Sequence, residues 1–211
     1  MTGDLYTHYA KQKKSRLDTL IPSSDIPEGE AGDARVSHFE ITGDDAAMYN
    51  MRLAFQGAGH RSVAPGKYTK LVAAGALQMT DTPAEKMDHA EVVKVARGSC
   101  LIMGLGLGMV ANAMALKPEV TDITVIEINP NVIKLVSPHM PEKITVIEAD
   151  AFEWTPPKGK QWDVIWHDIW PNICLDDCES RAKLSRRFAR KWTVYHGAWA
   201  KEEIRMLQKQ A

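Results

Sequence analysis

Short, nearly continuous apolar runs alternate with stretches of helical spacing in the second half of the chain. The apolar runs cover residues 101–103, 124–127, 143–150 and 162–168. Helix-compatible stretches lie between them at residues 109–116 and 130–136. Unbroken apolar strands are typical of a parallel sheet that helices cover on both faces. The pattern therefore predicts an α/β fold built on a parallel sheet, which we expect over residues 82–171.

A different pattern precedes this sheet and predicts a small N-terminal β-hairpin region over residues 35–81. A half-buried strand, a helix and a hairpin about Gly75 are expected in turn at residues 35–42, 44–55 and 68–80. Next, Thr82, Pro83 and Glu85 have the spacing of a capping box. They predict a helix that begins there and ends near residue 96.

The two ends of the chain are expected to contribute less to the sheet. Residues 21–34 are rich in Pro, Gly, Ser and acids, which is typical of a linker, so we expect the whole segment 1–34 to be flexible. Over 172–211 apolar residues at helical spacing predict C-terminal helices: Leu184, Phe188, Trp192, Ile204 and Leu207. We therefore expect about five strands in the sheet, without the last strands of a larger one.

Composition indicates an ordinary globular protein. Of the 211 residues 45% are hydrophobic and 25% are charged, and the net charge is −1. The sequence shows neither a signal peptide nor an apolar stretch that could span a membrane, so we expect a soluble, cytoplasmic protein. Cys100, Cys174 and Cys178 do not form a disulfide framework. Zinc binding by His167 with the last two cysteines is disfavoured because no fourth ligand is evident.

Glycines at alternate positions follow the first apolar run. Gly104, Gly106 and Gly108 allow a tight turn and a close approach to a ligand, and Glu127 ends the neighbouring strand. A carboxylate in that place can accept hydrogen bonds from both hydroxyls of a ribose. The motif therefore predicts a nucleoside site, although a strand-to-helix turn made of small residues is the alternative.

The spacing of the glycines disfavours NAD. A dinucleotide site needs two residues between the second and third glycines, and here Met109 stands where that third glycine would fall. Two further acids, Asp150 and Asp168, follow the next two strands. Because the carboxyl ends of parallel strands border one crevice, we expect both acids to join Glu127 at a single site.

The order of these features resembles the spermidine synthase-like branch of the Rossmann-like S-adenosylmethionine-dependent transferases, shortened at the C-terminus. The likeness extends from residue 66 to residue 171 and includes Ile102, where most methyltransferases of this fold carry an acid. It also includes the segments 75–80 and 88–91 before the glycines. The resemblance implies a Rossmann-like sheet and a homodimer or larger oligomer.

The resemblance also implies roles for individual residues. Besides the glycines and Glu127, the ligand-binding residues would be Asp150 and Ala151 at the adenine and Gln78 and His89 at the cofactor tail. Asp168 would be the catalytic residue that faces the reacting group. The implied cofactor is S-adenosyl-L-methionine or its decarboxylated form. His89 could equally be a half-buried structural histidine.

Two departures from the family alter the expected reaction. The family carries acids where this chain has Leu107 and Pro171, and those acids hold a cationic amine tail. A desolvated ammonium needs such partners, so a polyamine acceptor is disfavoured and methyl transfer is favoured over aminopropyl transfer. The acceptor would instead contact Trp166, His167 and Trp170, although tryptophans near a strand end also fill cores. The alternative class is a non-catalytic protein that binds S-adenosylmethionine or its thioether products.

A basic stretch near the C-terminus raises the question of nucleic acid. The cations in it are Arg181, Lys183, Arg186, Arg187, Arg190 and Lys191. Acids precede them at residues 176–179, so the stretch also fits an ordinary surface helix whose charges complement its dipole. With a net charge near zero, nucleic acid is possible but not favoured, and we expect a small-molecule acceptor.

Overall fold

The computed structural model describes residues 2–210 of the chain, with side chains described for residues 10–59 and 61–209. Residue 1 of the expected segment 1–34 and residue 211 of the expected segment 172–211 lie outside this range. The strands are β1 (Gly29–Ala31), β2 (Ala34–Ile41), β3 (Gly66–Ala73), β4 (Ala76–Thr80), β5 (Gly98–Met103), β6 (Val120–Glu127), β7 (Ile144–Glu148), β8 (Trp162–His167) and β9 (Trp192–Ala198). The helices are α1 (Thr2–Leu20), α2 (Gly43–Phe55), α3 (Pro83–Val95), α4 (Met109–Ala115), α5 (Pro130–Val136), α6 (Cys178–Phe188) and α7 (Lys201–Gln210).

Strands β5 to β9 form a five-stranded sheet in the order β7-β6-β5-β8-β9, in which every neighbouring pair is parallel. The order reverses next to β5, as it does in a Rossmann-like doubly wound sheet. Apolar residues of β5 fill the core on both faces: Cys100 and Ile102 on one, Leu101 and Met103 on the other. The fold class predicted from the apolar runs is confirmed.

Strands β1 to β4 form a separate antiparallel sheet that includes the predicted hairpin of β3 and β4. Asp33, in the turn between β1 and β2, fixes this sheet to the large one. Its carboxylate accepts hydrogen bonds from the side-chain amides of Asn129 (3.2 Å) and Asn131 (2.8 Å), which lie where β6 leads into α5. The small sheet therefore sits over the carboxyl end of β6.

The segment 1–34, which was expected to be flexible, carries regular structure and buried residues in the part that the structure describes. Residues 2–20 form α1, and the following stretch carries Ile21 and Ile26, which are 0% and 2% exposed within the main hydrophobic core. Lys86 of α3, itself 1% exposed, donates hydrogen bonds to Asp18 and to Ser23. Two isolated isoleucines carry no periodicity, so the sequence pattern gave no sign that this stretch is buried.

The C-terminal region contains a strand where only helices were expected. Helices α6 and α7 are present, but Trp192–Ala198 forms β9, which pairs in parallel with β8. Trp192 follows Phe188 at helical spacing, so the apolar pattern continues although the helix ends at Phe188. Thr193 and Val194 are β-branched and Tyr195 is aromatic, and residues of these types favour the extended conformation. This strand brings the sheet to the five strands that were expected.

The capping box expected at Thr82 and Glu85 does not form. Thr82 makes no side-chain cap hydrogen bond to α3, and its hydroxyl instead lies 3.0 Å from that of Thr80. A capping box is present at the start of α2, between Thr42 and Asp45. Glu85 is therefore free to point elsewhere. Among the described helices, none is both long and apolar enough to cross a membrane.

Candidate active site

A cavity of about 380 Å³ opens at the carboxyl ends of the parallel strands. The loops that follow β5, β6, β7 and β8 form its floor, and the small sheet and α3 supply the other walls. Most of its lining is apolar, and four acids face it from different elements: Glu85, Glu127, Asp150 and Asp168. The three strand-end acids that the sequence placed at one site thus line one cavity.

The glycine loop allows the backbone to pass close to its neighbours. Gly104 has φ +99°, and a Cβ on it would lie 2.1 Å from the backbone oxygen of Asp168. A Cβ on Gly106, which has φ +52°, would lie 2.7 Å from the sulfur of Met79. Both glycines line the cavity. Gly108 is not part of the lining; it caps α4 with φ +68°, where a Cβ would meet Met140.

Glu127 is held in place by the backbone on two sides. One oxygen accepts a hydrogen bond from the Leu105 N–H (2.8 Å) and the other from the Asn129 N–H (2.8 Å). The first bond connects the carboxylate directly to the glycine loop. Since Glu127 also lines the cavity, it remains available to hydroxyl groups of a ligand.

The other predicted ligand contacts divide into those that reach the cavity and one that does not. Asp150, Ala151 and Gln78 line it. The Asp150 carboxylate accepts the Phe152 N–H (2.8 Å), and the Gln78 amide donates to the Ala73 carbonyl (2.8 Å). His89 is 0% exposed and is not part of the lining, so it lies behind the cavity wall.

His89 faces two acids. Its Nε2 atom lies 3.6 Å from Asp168 Oδ2 and 4.0 Å from Glu85 Oε1. Burial, assisted by the charge of Asp88, raises the pKa of Asp168 to about 7. Burial also raises the pKa of Glu85 to about 7, and it lowers the pKa of His89. The site therefore combines a neutral imidazole with two carboxyl groups that can exchange protons near neutral pH.

The three aromatic residues expected at the acceptor take different positions because side chains alternate along β8. Trp166 points into the main core, where its ring stacks on Tyr195 with centroids 6.4 Å apart. His167 points to the opposite face, where its Nε2 lies 2.7 Å from that of His196. Neither residue lines the cavity. Trp170, beyond the strand end, does line it.

Trp170 also connects the cavity to the basic stretch of α6. The guanidinium of Arg181 lies 4.1 Å from the centroid of the Trp170 ring, and it donates to the Trp199 carbonyl (2.6 Å). Arg181 is thus a buried packing partner of the cavity wall (7% exposed), whereas Lys183, Arg186 and Arg190 are exposed. Only part of the basic stretch forms a surface.

Glu85 is the cavity residue that sequence reasoning missed. Its spacing from Thr82 matches a capping box, so the sequence favoured a structural role for it and not a role in ligand binding. The signal that could have found it is the i,i+4 spacing of Glu85 and His89, which places both side chains on one face of α3. An acid and a histidine on the helix face next to the glycine loop point to the site together.

Comparison with known proteins gives partial structural likenesses. No protein-family model and no curated protein matches the chain. A DhpI–SAH complex has a TM-score of 0.37 at 20% identity over 46% of this chain and 45% of that one. The N-methyltransferase NodS from Bradyrhizobium japonicum WM9 has a TM-score of 0.42 at 16% identity, over 52% of this chain and 62% of that one. A putative RNA methyltransferase, PH1948 from Pyrococcus horikoshii, has a TM-score of 0.42 at 13% identity, over 60% of this chain and 64% of that one. The chain thus covers less than two thirds of each of these proteins.

Proposed function

We propose that this protein is an S-adenosylmethionine-dependent methyltransferase that acts on a small-molecule acceptor. The observation that carries the proposal is that Glu127, the glycine loop and Asp168 line one cavity at the carboxyl edge of a Rossmann-like sheet. Glu127 supplies an acceptor for hydrogen bonds from hydroxyl groups, the glycine loop leaves room for a ligand to approach closely, and Asp168 supplies a proton acceptor. That combination fits a nucleoside whose reactive end lies near Asp168.

The residues fit such a ligand in their chemistry. Glu127 would accept the ribose hydroxyls, Asp150 with Ala151 would contact the adenine, and Gly104 with Gly106 would leave space beside the sugar. Bound S-adenosylmethionine supplies an electrophilic methyl carbon. Asp168, whose pKa is raised to about 7, would orient the acceptor and take its proton. Trp170 would provide an apolar wall for the acceptor.

Aminopropyl transfer is the second candidate because of Glu85. The family acids that hold an ammonium are replaced by Leu107 and Pro171 in this chain, but Glu85 supplies a carboxyl group at the cavity from another element. An ammonium brought into the cavity could therefore still be paired. Methyl transfer stays ahead because the other wall, with Ile169 and Trp170, is apolar.

Calorimetry and product analysis test the proposal together. The wild-type protein should bind S-adenosylmethionine and S-adenosylhomocysteine but not NAD, and Glu127→Ala should lose roughly 2–4 kcal/mol of binding because a charged acceptor of two hydrogen bonds is removed. Asp168→Asn should keep nucleoside affinity within a few-fold and lower turnover by roughly 10²–10⁴.

The products discriminate between the candidates. Release of S-adenosylhomocysteine indicates methyl transfer, and release of methylthioadenosine from the decarboxylated cofactor indicates aminopropyl transfer. Tight binding without either product from a panel of amines, small heterocycles and nucleic acids supports a binding protein. Tighter binding of NAD than of S-adenosylhomocysteine would contradict the assignment of the site.

A further inference from the structure

Glu85, His89 and Asp168 form a cluster at the cavity whose arrangement goes beyond a single catalytic acid. We call them the acid–imidazole cluster. Both carboxyl groups line the cavity, and both approach the same nitrogen of a histidine that is 0% exposed. The family resemblance gives a catalytic role to Asp168 alone, whereas the structure brings the three side chains together at one nitrogen.

His89 can satisfy only one of the two acids at a time. Neither of its ring nitrogens has a hydrogen-bond partner among the described residues. The Trp166 ring packs against the imidazole edge to face, with the two ring centroids 5.9 Å apart. In the neutral Nε2–H form the ring has a single proton to offer to Glu85 and Asp168. The burial that lowers the pKa of His89 keeps it from supplying a positive charge instead. At 3.6 and 4.0 Å the ring forms a hydrogen bond to neither acid, and a closer approach could supply a donor to only one of them.

The charges around the cluster do not compensate for a second ionised carboxyl group. Asp88 faces it from α3, but its carboxylate already forms two hydrogen bonds with Arg61 (2.9 and 3.0 Å). Glu127 adds a negative charge from β6. Among the described residues, two cations act on the cluster: Arg61 is held by Asp88, and Arg181 of α6 stacks on Trp170 and donates to a backbone carbonyl. Two negative charges in the cluster would thus repel each other in a site of low polarity, and retaining a proton relieves the repulsion.

We propose that the acid–imidazole cluster holds a proton while the cavity is empty or contains a neutral thioether, and releases it to solvent when a sulfonium binds. This inference rests on the proposed function and deepens it. The sulfonium brings the positive charge that the cluster lacks, so both carboxyl groups can then be ionised. The cluster would distinguish the charged donor from the neutral product, which is otherwise nearly identical in shape.

The proton count closes over one reaction cycle. Sulfonium binding releases one proton from the cluster and leaves Asp168 ionised. During transfer the bond between sulfur and carbon breaks, its electron pair stays on sulfur, and the acceptor forms the new bond to carbon and gives its proton to Asp168. The cluster is then protonated again beside a neutral thioether. Binding of the donor thus leaves Asp168 ionised and able to act as the base, and loss of the positive charge favours release of the product.

Proton release can be measured without any acceptor by calorimetry in two buffers of different ionisation enthalpy, such as phosphate and Tris. Burial raises the pKa of both Asp168 and Glu85 to about 7, so the cluster is partly protonated at pH 7 and S-adenosylmethionine should release a measurable fraction of a proton per site there. The release should increase toward pH 6 and vanish above about pH 8.5. S-adenosylhomocysteine should release close to none.

Variants distinguish the protons that the cluster releases from protons that the ligand itself loses. Glu85→Gln keeps the shape of the side chain but removes one of the two carboxyl groups, so Asp168 can stay ionised and the release should fall by at least half. Glu91→Gln is the matched control, because Glu91 lies on the same helix and is exposed. It should release as many protons as the wild type. Circular dichroism verifies that each variant is folded.

The outcomes distinguish this inference from the proposed function. Equal proton release for the sulfonium and the thioether, or unchanged release in Glu85→Gln, overturns the inference and leaves the methyltransferase proposal standing. If neither nucleoside binds, the proposed function fails and this inference fails with it. A difference between the two ligands that Glu85→Gln abolishes and Glu91→Gln retains supports it.

Discussion

Lys86 and Asp18 join α3 to the N-terminal helix, and substitutions at the two positions should have unequal effects on stability. In Asp18→Ala the Lys86 ammonium, which is 1% exposed, keeps the Ser23 hydroxyl (3.0 Å) as its one remaining partner among the side chains that the structure describes. Breaking a fully buried pair costs roughly 3–5 kcal/mol. Asp18 is 30% exposed, so water can reach the ammonium after the substitution. We therefore expect a loss of about 2–4 kcal/mol.

Lys86→Met removes the charge and keeps the length of the side chain. Asp18 is 30% exposed and keeps its ion pair with Lys14 (2.7 Å), so no buried charge is left unpaired and this variant should lie within about 1 kcal/mol of the wild type. For a chain of this length 1 kcal/mol corresponds to about 2–4 °C, and Asp18→Ala should melt about 4–16 °C lower. Lys14→Met is the control for a partly exposed partner of Asp18 and should lose less than about 1 kcal/mol.

Thermal melts followed by circular dichroism, together with urea titrations, measure these differences. If Asp18→Ala melts at the wild-type temperature, the ion pair contributes nothing and α1 is not held as the structure shows. If Lys86→Met loses as much as Asp18→Ala, packing of the lysine stem rather than an unpaired charge explains the effect. Either result would refute the reasoning from burial.

Two further substitutions test the glycine loop and the assembly. Gly104→Ala should destabilise the fold by roughly 2–5 kcal/mol in urea titrations, because φ is +99° and the added Cβ meets the Asp168 oxygen; wild-type stability would contradict this close approach. We propose that α2 pairs two chains, since Met48, Met51 and Phe55 are 66%, 58% and 85% exposed on one face. Light scattering at micromolar concentration should then show a wild-type dimer and a Phe55→Ser monomer, and a wild-type monomer would reject the proposal.

Sequence reasoning succeeded where a signal is local. The apolar runs and the proline at the start of α5 predicted the parallel sheet and that helix, because strand burial and the first helical turn depend on neighbouring residues. It failed where long-range packing decides. Residues 21–34 have a linker's composition, yet Ile26 is buried against other elements. The strand β9 was concealed because Trp192 continued a helical spacing by chance.

The candidate site shows the same division. Strand-end acids could be brought together from the sequence because all parallel strands end at one edge. The orientation of Trp166 and His167 could not, since at β8 the cavity is lined only by residues beyond the strand end, and that end was expected one residue later. Glu85 was missed because its distance of three residues from Thr82 matches a capping box, while its distance of four from His89 places it on a shared helix face, and only the packing of α3 decides between them.

The two hydrogen bonds of Glu127 have a consequence for selectivity. Its carboxylate is oriented by the Leu105 and Asn129 amides before any ligand arrives, so binding a sugar costs little further side-chain entropy. A carboxylate offers about four lone-pair positions, and the amides use two of them. The remaining capacity matches the two adjacent hydroxyls of a ribose. If the proposed function holds, a deoxyribose would leave one of these positions unused, and the site would favour ribonucleosides over deoxyribonucleosides.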